Sequence, residues 1–166
     1  PLIKITEWCG WKFSDAVIVT TPSQHRKAKL IPNGVDINLF KPEVKPFKKT
    51  IKILTVGRLV HQKNQLNLLR ALAKLSFPAE LVLVGRGPLQ QKLFELAKKL
   101  KVKLQYIESV AHHELAKVYQ AADIFCLASH HEGSPKALLE AMSCGLPCVV
   151  TDKVYSRFII TSGRDG

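Results

Sequence analysis

The sequence predicts an α/β protein built on a doubly wound, Rossmann-like parallel sheet. Three observations carry that prediction. Short apolar runs without polar alternation recur from Thr50 onward, as in strands covered on both faces. Segments with apolar residues at helical spacing separate them, so strand and helix alternate. The chain has 166 residues, 46% hydrophobic and 23% charged, which suits one folded domain with an arm and excludes both disorder and a large multidomain enzyme.

The elements follow in order. DAVIVTT (15–21) is a strand signal, and the turn-rich basic stretch PNGVDINLFKPEVKPFKK after it, with three prolines, reads as a linker. TIKILTVG (50–57) opens the main series and leads to a helix over 62–75, where Leu66, Leu69, Leu72 and Leu75 recur at helical spacing. ELVLVG (80–85) precedes a helix over 88–100, and LQYIES (104–109) a helix over 112–121. DIFCLAS (123–129), a helix over 135–143 and PCVVTD (147–152) complete five strands. The end, Ser162-Gly163-Arg164-Asp165-Gly166, reads as a turn before an interrupted strand. Residues 1–49 are therefore expected to close a preceding domain and connect it to a ligand-binding domain, 50–166, incomplete at its C-terminus.

Lys and Arg number 25 against 13 Asp and Glu, a net charge of +12. An anionic partner follows, but nucleic acid, a phosphorylated metabolite and an acidic membrane surface all fit that charge. The longest apolar run is five residues, 124–128, too short for a transmembrane helix, and PLIKITEWCG carries no signal-peptide pattern. Of four cysteines, Cys126 and Cys148 lie in apolar runs, as buried thiols of a reducing compartment do, so a cytoplasmic protein is expected. Cys144 and Cys148 have no second Cys/His pair at zinc spacing, and no metal site is expected.

In such a sheet, ligands bind beyond the C-terminal strand ends where strand order reverses. After the first strand, VGRLVHQKN (56–64) brings Arg58 and Lys63 together, a guanidinium fork and a compact ammonium that suit a phosphate pair or, equally, a solvated loop. After the second, GRGP (85–88) begins like G-x-G-x-x-G but has Gln90 at the third position, and a plain strand-to-helix turn explains it better. After the fourth, HHEGSPKALLEAMSCGLP (130–147) places Ser134 as N-cap and Pro135 as first helical residue, so a helix N-terminus faces the ligand edge. Glu132 lies just before that end and Glu140 two turns inside. Glu140 either pairs on the surface with Lys136 at i,i+4 or holds ligand hydroxyls. His130 and His131 point to opposite faces, and His112 and His113 read as a helix start. With no D-x-D present, a bound diphosphate would be neutralised by protein cations and a helix end rather than by a divalent metal.

Taken together, IPNGVDINLFKP (31–42), VGRLVHQKN (56–64), LVLVGRGP (81–88), AADIFCLAS (121–129) and EGSPKALLEAMSCGLPCVV (132–150), in this order, closely resemble the retaining glycosyltransferases of family 4. The resemblance implies two Rossmann-like domains facing across a cleft (the GT-B fold), with this chain the truncated C-terminal half that binds the nucleotide-sugar donor. It implies a hexosyl-type transferase, inactive as this fragment alone, that needs neither cofactor nor metal. Arg58 and Lys63 match the family's diphosphate pair. Glu132 matches the first glutamate of its spaced pair, at the donor sugar, and Glu140 the second, at the ribose. Gly133 and the backbone of Ser134, Pro135, Lys136 and Ala137 match the segment contacting sugar and phosphate. Gly57, Gly85 and Glu108 fall in donor-side loops, Glu108 near the nucleobase, and Asn33 and Gly34 match the connector turn at the cleft. Glu132, Arg58 and Lys63 are the expected catalytic residues. The implied partners are a nucleotide-sugar and a glycan or lipid-linked acceptor held by the other domain, with an anionic inner membrane face in peripheral reach. Two alternatives stand beside this. A sugar-nucleotide epimerase would lack the IPNGVD connector. A basic nucleic-acid- or membrane-binding module without catalysis would use the lysine clusters near 26–29, 45–49 and 98–103, which lack interleaved aromatics for base stacking.

Overall fold

The computed structural model describes residues 12, 14–20, 26–44 and 49–160. The opening PLIKITEWCG, linker residues 45–48 and the closing turn at 162–166 lie outside them. The chain divides into two compact units, Pro1–Gly34 and Val35–Gly166. In the first, β1 (Val17–Val19) pairs parallel with β2 (Ala28–Leu30), Val17 opposite Ala28. β1 is the strand expected at 15–21; β2, only three residues with a lysine at its centre, gave no apolar run to read.

The second unit is built on five parallel strands, β3 (Ile51–Val56), β4 (Ala79–Val84), β5 (Lys103–Ile107), β6 (Ile124–Leu127) and β7 (Cys148–Val150). Their spatial order is β5-β4-β3-β6-β7, so the doubly wound sheet is confirmed and its order reverses between β3 and β6. The helices between them are α1 (Gln65–Leu72), α2 (Gln90–Leu100), α3 (His112–Ala121) and α4 (Lys136–Ser143), with a short α5 (Val154–Arg157) after β7.

The strands read as unbroken apolar runs because both faces bury side chains. Leu54, Val82, Val84, Phe125 and Leu127 meet Ala116 and Tyr119 of α3 and Leu138 and Ala141 of α4 on one face. Ile53, Leu81, Leu83 and Cys126 meet Leu68, Leu69 and Leu72 of α1 and Leu93 and Ala97 of α2 on the other. Each fully buried leucine contributes about 1.5–3 kcal/mol, which makes this packing the main source of stability. Residues 35–44, read as connector, pack on this unit. Asp36 Oδ1 accepts the Asn38 N–H at 2.9 Å and turns the chain so that Phe40 enters the core, and Gln120 Nε2 donates to the Lys41 carbonyl at 3.0 Å.

Three helix starts differ from expectation, the helix expected from 88 beginning at Gln90. The helix predicted from residue 62 begins at Gln65, because His61–Lys63 forms a 3-10 turn and Asn64 takes a left-handed conformation, φ 56°. Asparagine tolerates that region better than most residues, and it ends the turn before α1 starts. Lys63 therefore ends a 3-10 turn ahead of α1 rather than lying inside that helix. At α4, Ser134 is not the cap. Pro135 keeps φ −73° but has ψ 101°, so the cap is Pro135 and the helix begins at Lys136.

The edge opposite the strand C-termini carries a charge ladder. Lys52, Glu80 and Lys103 lie in register across β3, β4 and β5. Glu80 is buried, with Lys103 Nζ at 2.5 Å and Lys52 Nζ at 3.5 Å. The Lys103 hydrogen bond, more than any other influence, holds the Glu80 carboxyl below its ordinary 4.5 despite burial. A depressed pKa stabilises the fold above the unfolded value and ceases to as pH falls through the folded one. Urea midpoints of wild type and Glu80→Gln should therefore differ at neutral pH, with the variant less stable, and converge as pH falls below 4.5. Parallel midpoint curves across that range would show that the ladder contributes nothing.

Candidate functional site

The ligand edge is made by the loops after the strands, and at the switch between β3 and β6 two of them are fastened together. The loop after β3, 57–64, meets the loop after β6, 128–135. The His130 N–H donates to the Gln62 carbonyl at 2.8 Å, and Gln62 Nε2 donates to the His131 carbonyl at 2.6 Å. Beside this clasp, Lys63 Nζ and Glu132 Oε1 form an ion pair at 2.5 Å, with side chains only 18% and 10% exposed. The lysine stem lies over Gly57, where a Cβ would come 3.4 Å from Lys63 Cε. Two sequence-predicted residues thus meet directly. Arg58 is exposed on the same loop, and its carbonyl is held by the buried amide of Gln65, whose Nε2 donates at 2.9 Å.

Gly85 and Gly87 have a structural role. A Cβ on Gly85, φ +133°, would overlap the Gly57 carbonyl oxygen, and one on Gly87 would overlap that of Leu59. Leu59 N–H donates to the Arg86 carbonyl at 2.8 Å, and the Leu59 carbonyl accepts the Leu89 N–H at 3.1 Å. The G-x-G is thus the strand-to-helix turn expected, its glycines there so that two loop backbones can touch. Gly85 O also accepts the Tyr106 hydroxyl at 3.1 Å.

Glu140 is buried, 5% exposed, and faces α3. Tyr119 Oη donates to its Oε2 at 2.9 Å, and His112 Nε2 lies 3.6 Å from its Oε1. The surface pair with Lys136 is overturned: the register of α4 turns position 140 inward while Lys136 points to solvent. Burial, then the neighbouring Glu140 carboxylate, push the Tyr119 hydroxyl far above its ordinary range, so it stays protonated and donates. Phe40 stacks its edge on both His112 and Tyr119, at 5.2 and 5.8 Å between centroids.

The remaining expected residues are spread along the edge. Gly133 is exposed with nothing within 4 Å of a Cβ position, Ser134 and Ala137 are half-buried, and Pro135 is buried at the cap. Glu108 pairs with Arg86 at 3.1 Å, both exposed, between the loops after β5 and β4. Asn33 is half-buried and Gly34 exposed in the first unit. No cluster of three metal-ligating side chains occurs among the described residues. Cys126, Cys144 and Cys148 are buried; burial raises the Cys126 and Cys148 thiols to about 11 and about 12, which leaves them unreactive. Sequence reasoning missed Gln62, Tyr119 and His112. Polar residues at a loop and in a helix give no periodic signal, and their partners lie 18 or more positions away.

Residues 36–166 match the family described as glycosyl transferases group 1. The chain belongs to that family. Among its relatives, the Escherichia coli UDP-Gal:alpha-D-GlcNAc-diphosphoundecaprenol alpha-1,3-galactosyltransferase is 32% identical over 157 residues, 84% of this chain and 40% of that protein. This group 1 glycosyltransferase chain therefore spans about two fifths of that relative's length. The catalytic domain of the cholesterol-alpha-glucosyltransferase from Helicobacter pylori is 31% identical with a TM-score of 0.62, covering 67% of this chain and 72% of that one. The Anabaena protein HepE, solved with UDP and glucose, has the same fold, with a TM-score of 0.85 at 20% identity over 97% of this chain and 51% of that one. The sheet is that of the C-terminal domain of GT-B glycosyltransferases. The family match does not favour the epimerase or the non-catalytic basic module. No helix among the described residues is long and apolar enough to cross a membrane.

The glycine geometry gives a stability test. Gly85→Ala combines a positive φ with overlap on the Gly57 backbone and should cost about 2–4 kcal/mol. Gly133→Ala, in open space, should stay within about 0.5 kcal/mol of wild type. Urea denaturation of both variants checks this, and equal midpoints would refute the close approach of the two loops.

Proposed function

We propose that this chain is the donor-binding part of a retaining glycosyltransferase that moves a hexosyl group from a nucleotide-sugar to a glycan or lipid-linked acceptor. The observation that carries the proposal is the Lys63–Glu132 pair at the switch point, with Arg58 on the same loop. Cleaving a nucleotide-sugar develops negative charge on the departing diphosphate and positive charge on the adjacent anomeric carbon. An ammonium fixed beside a carboxylate offers one partner to each.

In this reading Lys63, Arg58 and the leading N–H groups of α4, from Lys136 and Ala137, meet the diphosphate. The Lys136 side chain adds a cation there. Glu132 faces the sugar, with Gly133 leaving room beside it. At Glu140, Tyr119 donates to Oε2, and Oε1, with His112 3.6 Å away, is the oxygen assigned to the ribose hydroxyls. Gly57 and Gly85 shape the floor, and Glu108 borders the nucleobase end. The names of relatives support this ligand class: the Escherichia coli enzyme is named for a UDP-Gal donor and a diphosphoundecaprenol acceptor, and HepE was solved with UDP and glucose. No resident metal or cofactor enters the reading. The acceptor is held by protein outside this chain, and the net charge of +12 suits a cytoplasmic protein working against an anionic membrane face.

Two measurements on the full-length protein test it. In EDTA throughout, Arg58→Ala should weaken binding of UDP, GDP or ADP by about tenfold or more, while leaving the nucleoside nearly unaffected. Equal losses for nucleoside and diphosphate, or no diphosphate binding without magnesium, would refute the metal-free phosphate assignment. In steady-state kinetics, Glu140→Gln should raise the donor KM through weaker ribose hydrogen bonds, a loss of about 1.5–3 kcal/mol, whereas Glu132→Gln should act mainly on kcat. The opposite split would reverse the two roles.

A further inference from the structure

We propose that the Lys63–Glu132 ion pair is a latch exchanged by the substrate. The donor diphosphate takes Lys63 from Glu132 and frees that carboxylate for the sugar; afterwards Glu132 re-pairs with Lys63 and helps expel the spent nucleoside diphosphate. The inference rests on the diphosphate reading of this site.

Four features lead to it. The pair is short and mostly covered, so neither charge is left to water, and an incoming anion must compete with Glu132 to reach Lys63. Lys63 has little freedom to swing, because its stem lies across Gly57 and its backbone is fixed between Val60 and the left-handed Asn64. Glu132 is followed by the exposed Gly133, which places no side chain beside it. The loops need not separate when the pair opens, because the two Gln62 bonds, to the His130 N–H and the His131 carbonyl, fasten them independently of either charge. The exchange is thus confined to a rotation of the Glu132 side chain. Arg58, exposed and in no ion pair among the described residues, is free to receive a phosphate first.

The consequence separates binding from turnover at one residue. Glu132 competes with the diphosphate for the same ammonium, so removing its charge should tighten ground-state binding even as it slows transfer. Calorimetric titration of UDP, with GDP and ADP as parallel arms, into the full-length wild type, Glu132→Gln, Lys63→Met and the double variant tests it. Glu132→Gln should bind the diphosphate about three- to tenfold tighter, the range one partly covered ion pair commands, and Glu132→Ala should move the same way. Lys63→Met should bind more weakly by a similar factor, and the double variant no more tightly than Lys63→Met, because freeing an ammonium matters only where one exists. The latch is overturned if Glu132→Gln binds equally or more weakly. It is overturned as well if the double variant is tighter than Lys63→Met by the full Glu132→Gln factor, which would mark simple charge repulsion. If neither Lys63→Met nor Arg58→Ala alters diphosphate affinity, the phosphate reading itself fails, and the latch with it.

Discussion

The ligand edge depends on one short loop, 57–64, held from both sides at backbone distance. On the β4 side, Leu59 is fully buried and bonds through both its N–H and its carbonyl to the 86–89 turn, while Gly57 touches Gly85 with no room for a methyl group between them. On the β6 side, Gln62 clasps His130 and His131. Parallel strands alone would leave three loops side by side at the crevice, each free to move. Here core packing, through Leu59, and main-chain bonds fix the middle loop, so Arg58 and Lys63 are presented from a scaffold rather than from a flexible strand end. Placing cations before an anion arrives lowers the ordering cost of binding it.

Two glutamates near the proposed anion site pose an electrostatic problem that the fold answers in two ways. Glu140 is withdrawn from solvent and satisfied by a hydroxyl from α3, which burial keeps protonated, with His112 near its other oxygen. Its carboxylate is thereby held against α3. Glu132 stays at the edge, and Lys63 balances it at 2.5 Å. The cation proposed to meet a phosphate is thus the one that holds the carboxylate, while Arg58 stays exposed beside the pair.

The sheet was legible because burial on both faces produces apolar runs that periodicity detects, and Leu54, Leu83 and Phe125 sit where those runs place them. Helix starts were less so. A single asparagine in the left-handed region moved α1 to Gln65, and one ψ angle at Pro135 moved the cap of α4, neither of which alters the hydrophobic pattern. Of the site, Arg58, Lys63 and Glu132 were readable as charged residues beyond strand ends. Their pairing was not, because it joins residues 69 positions apart. Glu140 shows the limit most clearly: from sequence, an i,i+4 partner on the helix surface is as good as a burial partner on another helix, and only the register of α4 against α3 chooses between them.

The excess of basic residues is a property of the whole surface more than of this site. Of the lysines near the sheet, Lys52 and Lys103 are bound to Glu80 at the edge opposite the strand C-termini, where they complete a structural ladder. At the ligand edge only a few cations face the crevice, and one is already paired. In the exchange proposed above, affinity for an anion there depends less on the net charge of +12 than on whether a phosphate oxygen can replace a carboxylate oxygen on a single ammonium. A long-range field attracts any polyanion and weakens with salt, but an exchange between two oxyanions at one nitrogen depends on where their oxygens sit. On the proposed reading, that geometric demand favours a compact diphosphate over a nucleic acid of the same charge. On that proposal the clasped loops, more than the lysine count, set the ligand preference of the basic domain.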